Sequence, residues 1–298
     1  MGDFAQSPQP IVLEDRVRVF FTTRFSSEDG TAWRSQPMFV DFSLEMDKRL
    51  SEPIQVELPK AKLGCFDEDG IFPFSPVLVD GIIYAFTTGW SRRQSVSVET
   101  GIGIATSADL GKRFTRLGDG PVLSSSIDEP FLVCDGFVRR VGEEWVMWYC
   151  FGTGWKFDAD ESQWERTYKI TQTRSENILE WSPAGGQEVV DSVGGEMEAQ
   201  ALPSVTQLPS GEFWMSFCYR DTFNFRTEAN AGYKLGFASS FDGQSWERSD
   251  EKLDFARTGF DSRMQCYPNI FSVDDTIHLL YNGNEFGRHG FGLASWRH

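Results

Sequence analysis

Acidic residues recur in this 298-residue chain at a spacing suited to chemistry. Asp3, Asp69, Glu129, Glu196 and Asp261 each stand seven residues before one of five corresponding positions, Pro10, Pro76, Gly136, Pro203 and Pro268. Further acids crowd beside them: Asp67 in FDEDG, Asp128 in IDEP and Glu198 in GGEMEAQ. Carboxylates held close together repel, which raises the pKa of some and lets one site keep a protonated acid beside an ionised base near neutral pH. Glycosyl transfer to water has that requirement. Two other readings of the same spacing stay open: a cation held by carboxylate oxygens in a central channel, and plain solvated loop acids in a chain that is acidic throughout.

The elements that must position these residues repeat five times. Each unit has a short strand, a turn, a strongly apolar strand, a loop and a third strand. The second strands read RVRVFFTTR (16–24), IIYAFTTGW (82–90), EWVMWYCFGTGW (144–155), EFWMSFCYR (212–220) and TIHLLYNGN (276–284). Alternation and β-branched or aromatic content mark these as strands, and no convincing 3.6-residue period competes. The corresponding positions step by 66, 60, 67 and 65 residues. The expected fold is an all-β, single-domain five-bladed β-propeller with blades near 3–62, 63–122, 123–190, 191–255 and 256–298, four strands in each of the first four and the outer strand missing from the last. Ring closure should then rest on side-chain packing, or a homodimer should cover the blade 5 edge. In a propeller the innermost strands line the channel, so the five acids are expected to converge at one mouth. SADLGKRF (107–114), SFDGQSW (240–246) and the degenerate SENILEW (175–181) read as structural turns that close on an inter-blade aromatic.

Other residue types narrow the chemistry. Trp90 and Trp155 end second strands of neighbouring blades, where an aromatic face packs on the C–H face of a pyranose; blade packing is the competing role. Arg92, Arg93, Arg220, Arg263 and Arg288 flank strand ends, where guanidinium groups hold carboxylate or phosphate, or pair with nearby acids. Three histidines give a zinc site little to draw on, no helix follows the glycine-rich segments to receive a phosphate, and no nucleophile elbow is present. Five scattered cysteines fit a reducing cytoplasm. A net charge of −16 argues against nucleic acid and anionic membranes as partners. There is no 20-residue apolar span and no basic-then-apolar leader.

The order FDEDGIFP, GW followed by an arginine, WYCFGTGW, YKI, FDSRMQCYP and YNGNEFGRHGFGLA resembles glycosidase-like proteins of bacterial polysaccharide gene clusters. These are similar to the five-bladed propeller superfamily of arabinanases, invertases, levansucrases and mannoside phosphorylases. The resemblance implies a carbohydrate-active enzyme, whether hydrolase, phosphorylase or transglycosylase, needing no cofactor. It implies Asp69 as base or nucleophile, Glu129 or Asp128 as transition-state stabiliser, and Glu196 or Glu198 as acid; a frame starting from Asp3 is the alternative. Asp67, Trp90, Arg92, Trp155, Arg220, Asp261, Arg263, Tyr267, Asn284 and His289 are expected to hold a small carbohydrate. The chain departs from the family pattern at Ser91-Arg92-Arg93 in place of Asn-Arg-Gly, at Arg263 in place of Glu, and at Asp135-Gly136 in place of Ser-Pro. Those departures keep two alternatives in play: a catalytically inactive binding or scaffold propeller, and a cyclase or isomerase of a small metabolite.

Overall fold

The computed structural model describes residues 4–26, 33–228, 231–253, 255 and 257–297. Five antiparallel sheets form a ring, a five-bladed β-propeller. Blade 1 holds β1 (Gln6–Val12), β2 (Val17–Ser26), β3 (Trp33–Phe42) and β4 (Ile54–Gln55). Blade 2 holds β5 (Ile71–Val79), β6 (Ile82–Arg92), β7 (Val98–Ser107) and β8 (Thr115–Arg116). Blade 3 holds β9 (Val133–Val141), β10 (Glu144–Asp158) and β11 (Gln163–Ser175). Blade 4 holds β12 (Glu198–Gln207), β13 (Phe213–Asp221), β14 (Lys234–Ser240) and β15 (Glu247–Arg248). Blade 5 holds β16 (Cys266–Val273), β17 (Thr276–Asn282) and β18 (Gly292–Arg297). The three-stranded last blade agrees with expectation. Blade 3 corrects it: among the described residues its sheet also has three strands, and the stretch after β11 returns as irregular chain, where Val189 donates its amide to the Ile170 carbonyl at 3.0 Å.

Burial follows from the alternation. Inward residues of neighbouring sheets meet in apolar clusters, one at each blade interface. The aromatic closing each predicted turn fills one of them. Phe114 packs on Phe20 and Phe74, Trp181 on Phe86 and Trp246 on Trp148, with ring centroids 4.9–6.1 Å apart. The turns themselves are held by their own side chains. Asp109 accepts the amides of Lys112 and Arg113, and Asp242 those of Gln244 and Ser245, which hold both carboxyls below the usual range.

The inner strand of every blade carries a bulge at the same place, where two residues oppose one on the second strand. The unpaired dipeptides are Ser7-Pro8, Phe72-Pro73, Asp135-Gly136, Leu202-Pro203 and Tyr267-Pro268. Proline fits there because a bulge needs no ladder N–H. Gly136 takes the same role where a Cβ would stand 3.0 Å from Ile102 of blade 2. This register corrects the sequence-based one, which matches it at Gly136, Pro203 and Pro268 but is displaced from Pro8 to Pro10 and from Pro73 to Pro76. Counting seven back from the true positions keeps Glu129, Glu196 and Asp261 equivalent. Phe66 replaces Asp69 in blade 2, and Asp3 lies outside the described residues.

Four of the bulges are caught by the blade before them. The amide of Asp135 donates to Thr88 Oγ1 (2.7 Å), Leu202 to Asp135 Oδ2 (3.2 Å), Tyr267 to Cys218 Sγ (3.4 Å) and Ser7 to Asn282 Oδ1 (2.8 Å). The last bond joins blade 1 to blade 5. Asn282 Nδ2 also donates to the Ala5 and Gly290 carbonyls at 2.8 Å, and Asn269 donates to Gln9 at 2.9 Å. Side chains therefore close the ring, with the apolar cluster of Val17, Val19, Phe21, Phe271 and Leu280 beneath them. An Asn282→Ala exchange takes the side-chain partner from the buried Ser7 amide and the half-buried Ala5 and Gly290 carbonyls, so the unfolding free energy should fall by about 2 kcal/mol. A urea titration followed by tryptophan fluorescence reads this directly.

Candidate functional site

A cavity of about 310 Å³ opens at the channel mouth where the inner strands begin, and all five blades contribute to its wall. This is the small end of the range for small-molecule sites, roughly 300–1,000 Å³. Strand periodicity sets the lining. Thr88, Trp90 and Arg92 are alternate residues of β6, Val98 and Thr100 of β7, and Arg166 and Tyr168 of β11. The bulges of blades 2–5 supply Phe72, Asp135, Leu202 and Tyr267. Three of these four are held at φ of 53–60°, as is Ser7 of blade 1 at 51°. Residues other than glycine are uncommon there, and such backbone is costly and concentrates at functional sites.

Among the described residues Asp135 is the one carboxylate on this wall. Burial pushes its carboxyl up to about 6, against the opposing pull of the Leu202 amide and Arg166. A proton donor and acceptor working near neutral pH therefore sits among Phe72, Trp90, Tyr168, Tyr233 and Tyr267. Arg24, Arg92 and Arg166 share the lining. Behind it lies Arg220, 2% exposed, whose guanidinium donates to the hydroxyls of Tyr233 (3.2 Å) and Tyr168 (3.4 Å). The two phenols are bonded to each other at 3.0 Å.

The acids that the sequence singles out are not gathered on this wall. Each buried one is bound elsewhere. Glu129, 0% exposed, accepts the Tyr149 hydroxyl at 2.8 and 2.9 Å and the Gly186 amide at 3.1 Å. Glu198 accepts the amides of Val193 and Gly194 and forms a buried pair with Arg248 at 2.7 Å. Asp67 pairs with Arg116 at 2.8 Å, and Asp261 takes the Thr258 amide, Gln265 and the Tyr281 hydroxyl. These carboxylates fasten the loops that enter the inner strands. Asp128 and Glu196 are exposed. Asp69 lies nearest the cavity: it is ion-paired with Arg92, whose guanidinium also donates to the Trp33 carbonyl, and it accepts the Arg92 amide at 2.9 Å.

Of the expected ligand-holding residues, Trp90, Arg92 and Tyr267 line the cavity and Arg220 braces it from behind. Trp155 packs against the core of blades 3 and 4. Asn284 braces the loop that enters β16, accepting the Arg263 amide at 2.8 Å and the Met264 amide at 3.1 Å, and Arg263 is exposed. His289 is exposed beside Glu285. Among the described residues no group of three or more His, Cys, Asp or Glu side chains is placed to hold a metal ion. No described helix is long and apolar enough to cross a membrane. Asp135, Arg24, Arg166, Tyr168 and Tyr233 are the charged and phenolic lining residues that sequence reasoning did not select. The recurring X-Pro or X-Gly dipeptide of the inner strands was the signal for Asp135.

No protein-family model matches the sequence. An uncharacterised protein of Mycobacterium tuberculosis, found in two strains, is 29% identical over 293 residues, covering 97% of this chain and 91% of its own. Among solved structures, a glycoside hydrolase superposes with a TM-score of 0.73 at 15% identity, covering 98% of this chain and 87% of that one. Another is described under the GH130 family of mannoside phosphorylases, which contains glycoside hydrolases that target β-1,2-mannosidic linkages in Candida mannan. It superposes with a TM-score of 0.68 at 15% identity, covering 99% and 84%. The chain thus has the five-bladed β-propeller fold of these glycoside hydrolases.

Proposed function

We propose that the channel cavity binds a small carbohydrate and that the protein acts on a glycosidic bond there, as hydrolase, phosphorylase or transglycosylase. The observation that carries this reading is Asp135: a carboxyl raised by burial to about 6, at the base of an aromatic-walled cavity in a glycoside-hydrolase-like fold. Its proton goes to the leaving oxygen as the bond breaks. Asp69, behind Arg92 at the rim, is the second carboxylate that glycosyl transfer needs, set free when a ligand group engages Arg92.

Product analysis by mass spectrometry tests this, with a panel of glycosides and bacterial oligosaccharides, with and without phosphate. Cleavage should vanish in Asp135→Asn and drop sharply in Asp69→Asn, and phosphate dependence separates phosphorylase from hydrolase. Cleavage that survives Asp135→Asn would sink the assignment. A second reading, a binding or scaffold propeller without turnover, is favoured by Asp135 being the single carboxylate on the lining among the described residues. It expects ligand binding with no product from any member of the panel.

A further inference from the structure

We propose that the ligand of the channel cavity is an acidic sugar, held through an oxyanion that is either a carboxylate or a phosphate ester, by Arg166, Arg24 and Arg92 together with the tyrosine hydroxyls of the wall. This rests on the carbohydrate reading above. The first observation is charge. A chain of net charge −16 places three arginines and one carboxylate on this lining among the described residues. Among the described residues Arg166 and Arg24 have no carboxylate within ion-pair distance. Arg166 makes one long contact, 3.4 Å to Ser97 Oγ, and Arg24 lies over the Phe4 ring. Arginine forks match carboxylate and phosphate oxygens in geometry as well as charge.

The second observation is a count of protons. Arg220 is buried and donates to both the Tyr168 and Tyr233 oxygens, so neither phenol can give its proton to it. One hydroxyl proton is spent in the bond between the two phenols. The other has no acceptor among the described residues, and both rings line the cavity. The Tyr267 hydroxyl is likewise without a protein partner there and lines the same space. Arg220 itself bonds only phenols and backbone carbonyls, so its buried positive charge is not neutralised by direct contact with a carboxylate. Among the described residues the wall thus sets three arginines and unspent phenol protons against one carboxylate, Asp135. The wall's other side-chain oxygens, the phenols aside, are the hydroxyls of Ser35, Thr88 and Thr100, which donate as well as accept. A neutral sugar, carrying both donors and acceptors on every hydroxyl, gains nothing from that excess of positive charge; an oxyanion does.

Isothermal titration calorimetry with matched probes tests the inference: methyl glucuronide and methyl galacturonide, the corresponding neutral methyl glycosides, the hexose 6-phosphates and inorganic phosphate. At least one acidic sugar should bind tenfold or more tighter than its neutral partner, and whether it is a uronide or a phosphate ester identifies the oxyanion. Arg166→Gln should cost that sugar tenfold or more, with Arg166→Lys recovering part and unchanged thermal melting of both variants showing an intact fold. Neutral sugars that bind as well as acidic ones, indifferent to Arg166→Gln, would overturn the acidic-sugar inference and leave the carbohydrate reading standing. Inorganic phosphate binding as tightly as any sugar phosphate would reduce the site to an anion site and remove the sugar from it. Silence from every probe would overturn both.

Discussion

Replacing Glu198 with Ala should lower the unfolding free energy by about 2–4 kcal/mol, the cost of losing a buried carboxylate that accepts several charge-assisted hydrogen bonds. Glu198 and Arg248 have side chains 1% and 5% exposed, and the carboxylate also receives two backbone amides and the Gln200 amide group. Removing it leaves Arg248 with Asp250 as its remaining carboxylate partner and uncaps the loop that enters β12. The folded fraction should bind and turn over ligand as before. Denaturant titration beside turnover of Glu198→Gln checks both halves. Turnover abolished at unchanged stability would return Glu198 to the chemistry that the family resemblance implies for it.

Asp135→Asn is expected to do the reverse, losing turnover by about 10²–10⁴-fold while gaining stability at neutral pH. The sign follows from burial. The folded-state carboxyl is raised from 3.8 to about 6, so its contribution to stability is fully present below about pH 4 and lost as pH rises through 6. An amide carries no such penalty. At pH 7 the variant should exceed the parent by up to about 3 kcal/mol, the free energy equivalent of two pKa units, with the difference vanishing near pH 4. Wild-type kcat/KM should fall above pH 6 as the acid loses its proton. Melting curves across pH 4–8 and a pH–rate profile measure both, and a variant less stable than the parent at pH 7 would contradict the assigned burial penalty.

The propeller itself was legible because its signal is repeated. Five apolar second strands and three aromatic-closed turns all point one way, and the aromatics pack at the blade interfaces where the turns put them. The site was less legible because register decides it. An inner strand that slips by two or three residues exchanges its channel-facing set for another, and the prolines at 8 and 10, or 73 and 76, look alike without the bulge that tells them apart. Acid content misled in the same way. Glu129, Glu198 and Asp261 stand where carboxylates accept amides and phenols at loop entries, a role that spacing cannot separate from catalysis. Asp135-Gly136 was visible only as a departure from the family pattern. Arg24 comes from a second strand, Arg166 and Tyr168 from a third strand and Tyr233 from the β13–β14 loop, and no shared motif marks them.

The bulged dipeptides have an evolutionary corollary. Their side chains hang outside the ladder, and the neighbouring blade grips their backbone amides rather than their functional groups. Substitutions at Phe72, Leu202 and Tyr267, which line the cavity, can therefore rewrite its wall without renegotiating the sheet ladders, so long as the local backbone is respected. Asp135 is the exception, because its carboxylate also clasps Leu202. A lineage built on this scaffold has three exchangeable tiles around one fixed one, which makes ligand preference the quickest property to drift and the slowest to infer from overall likeness.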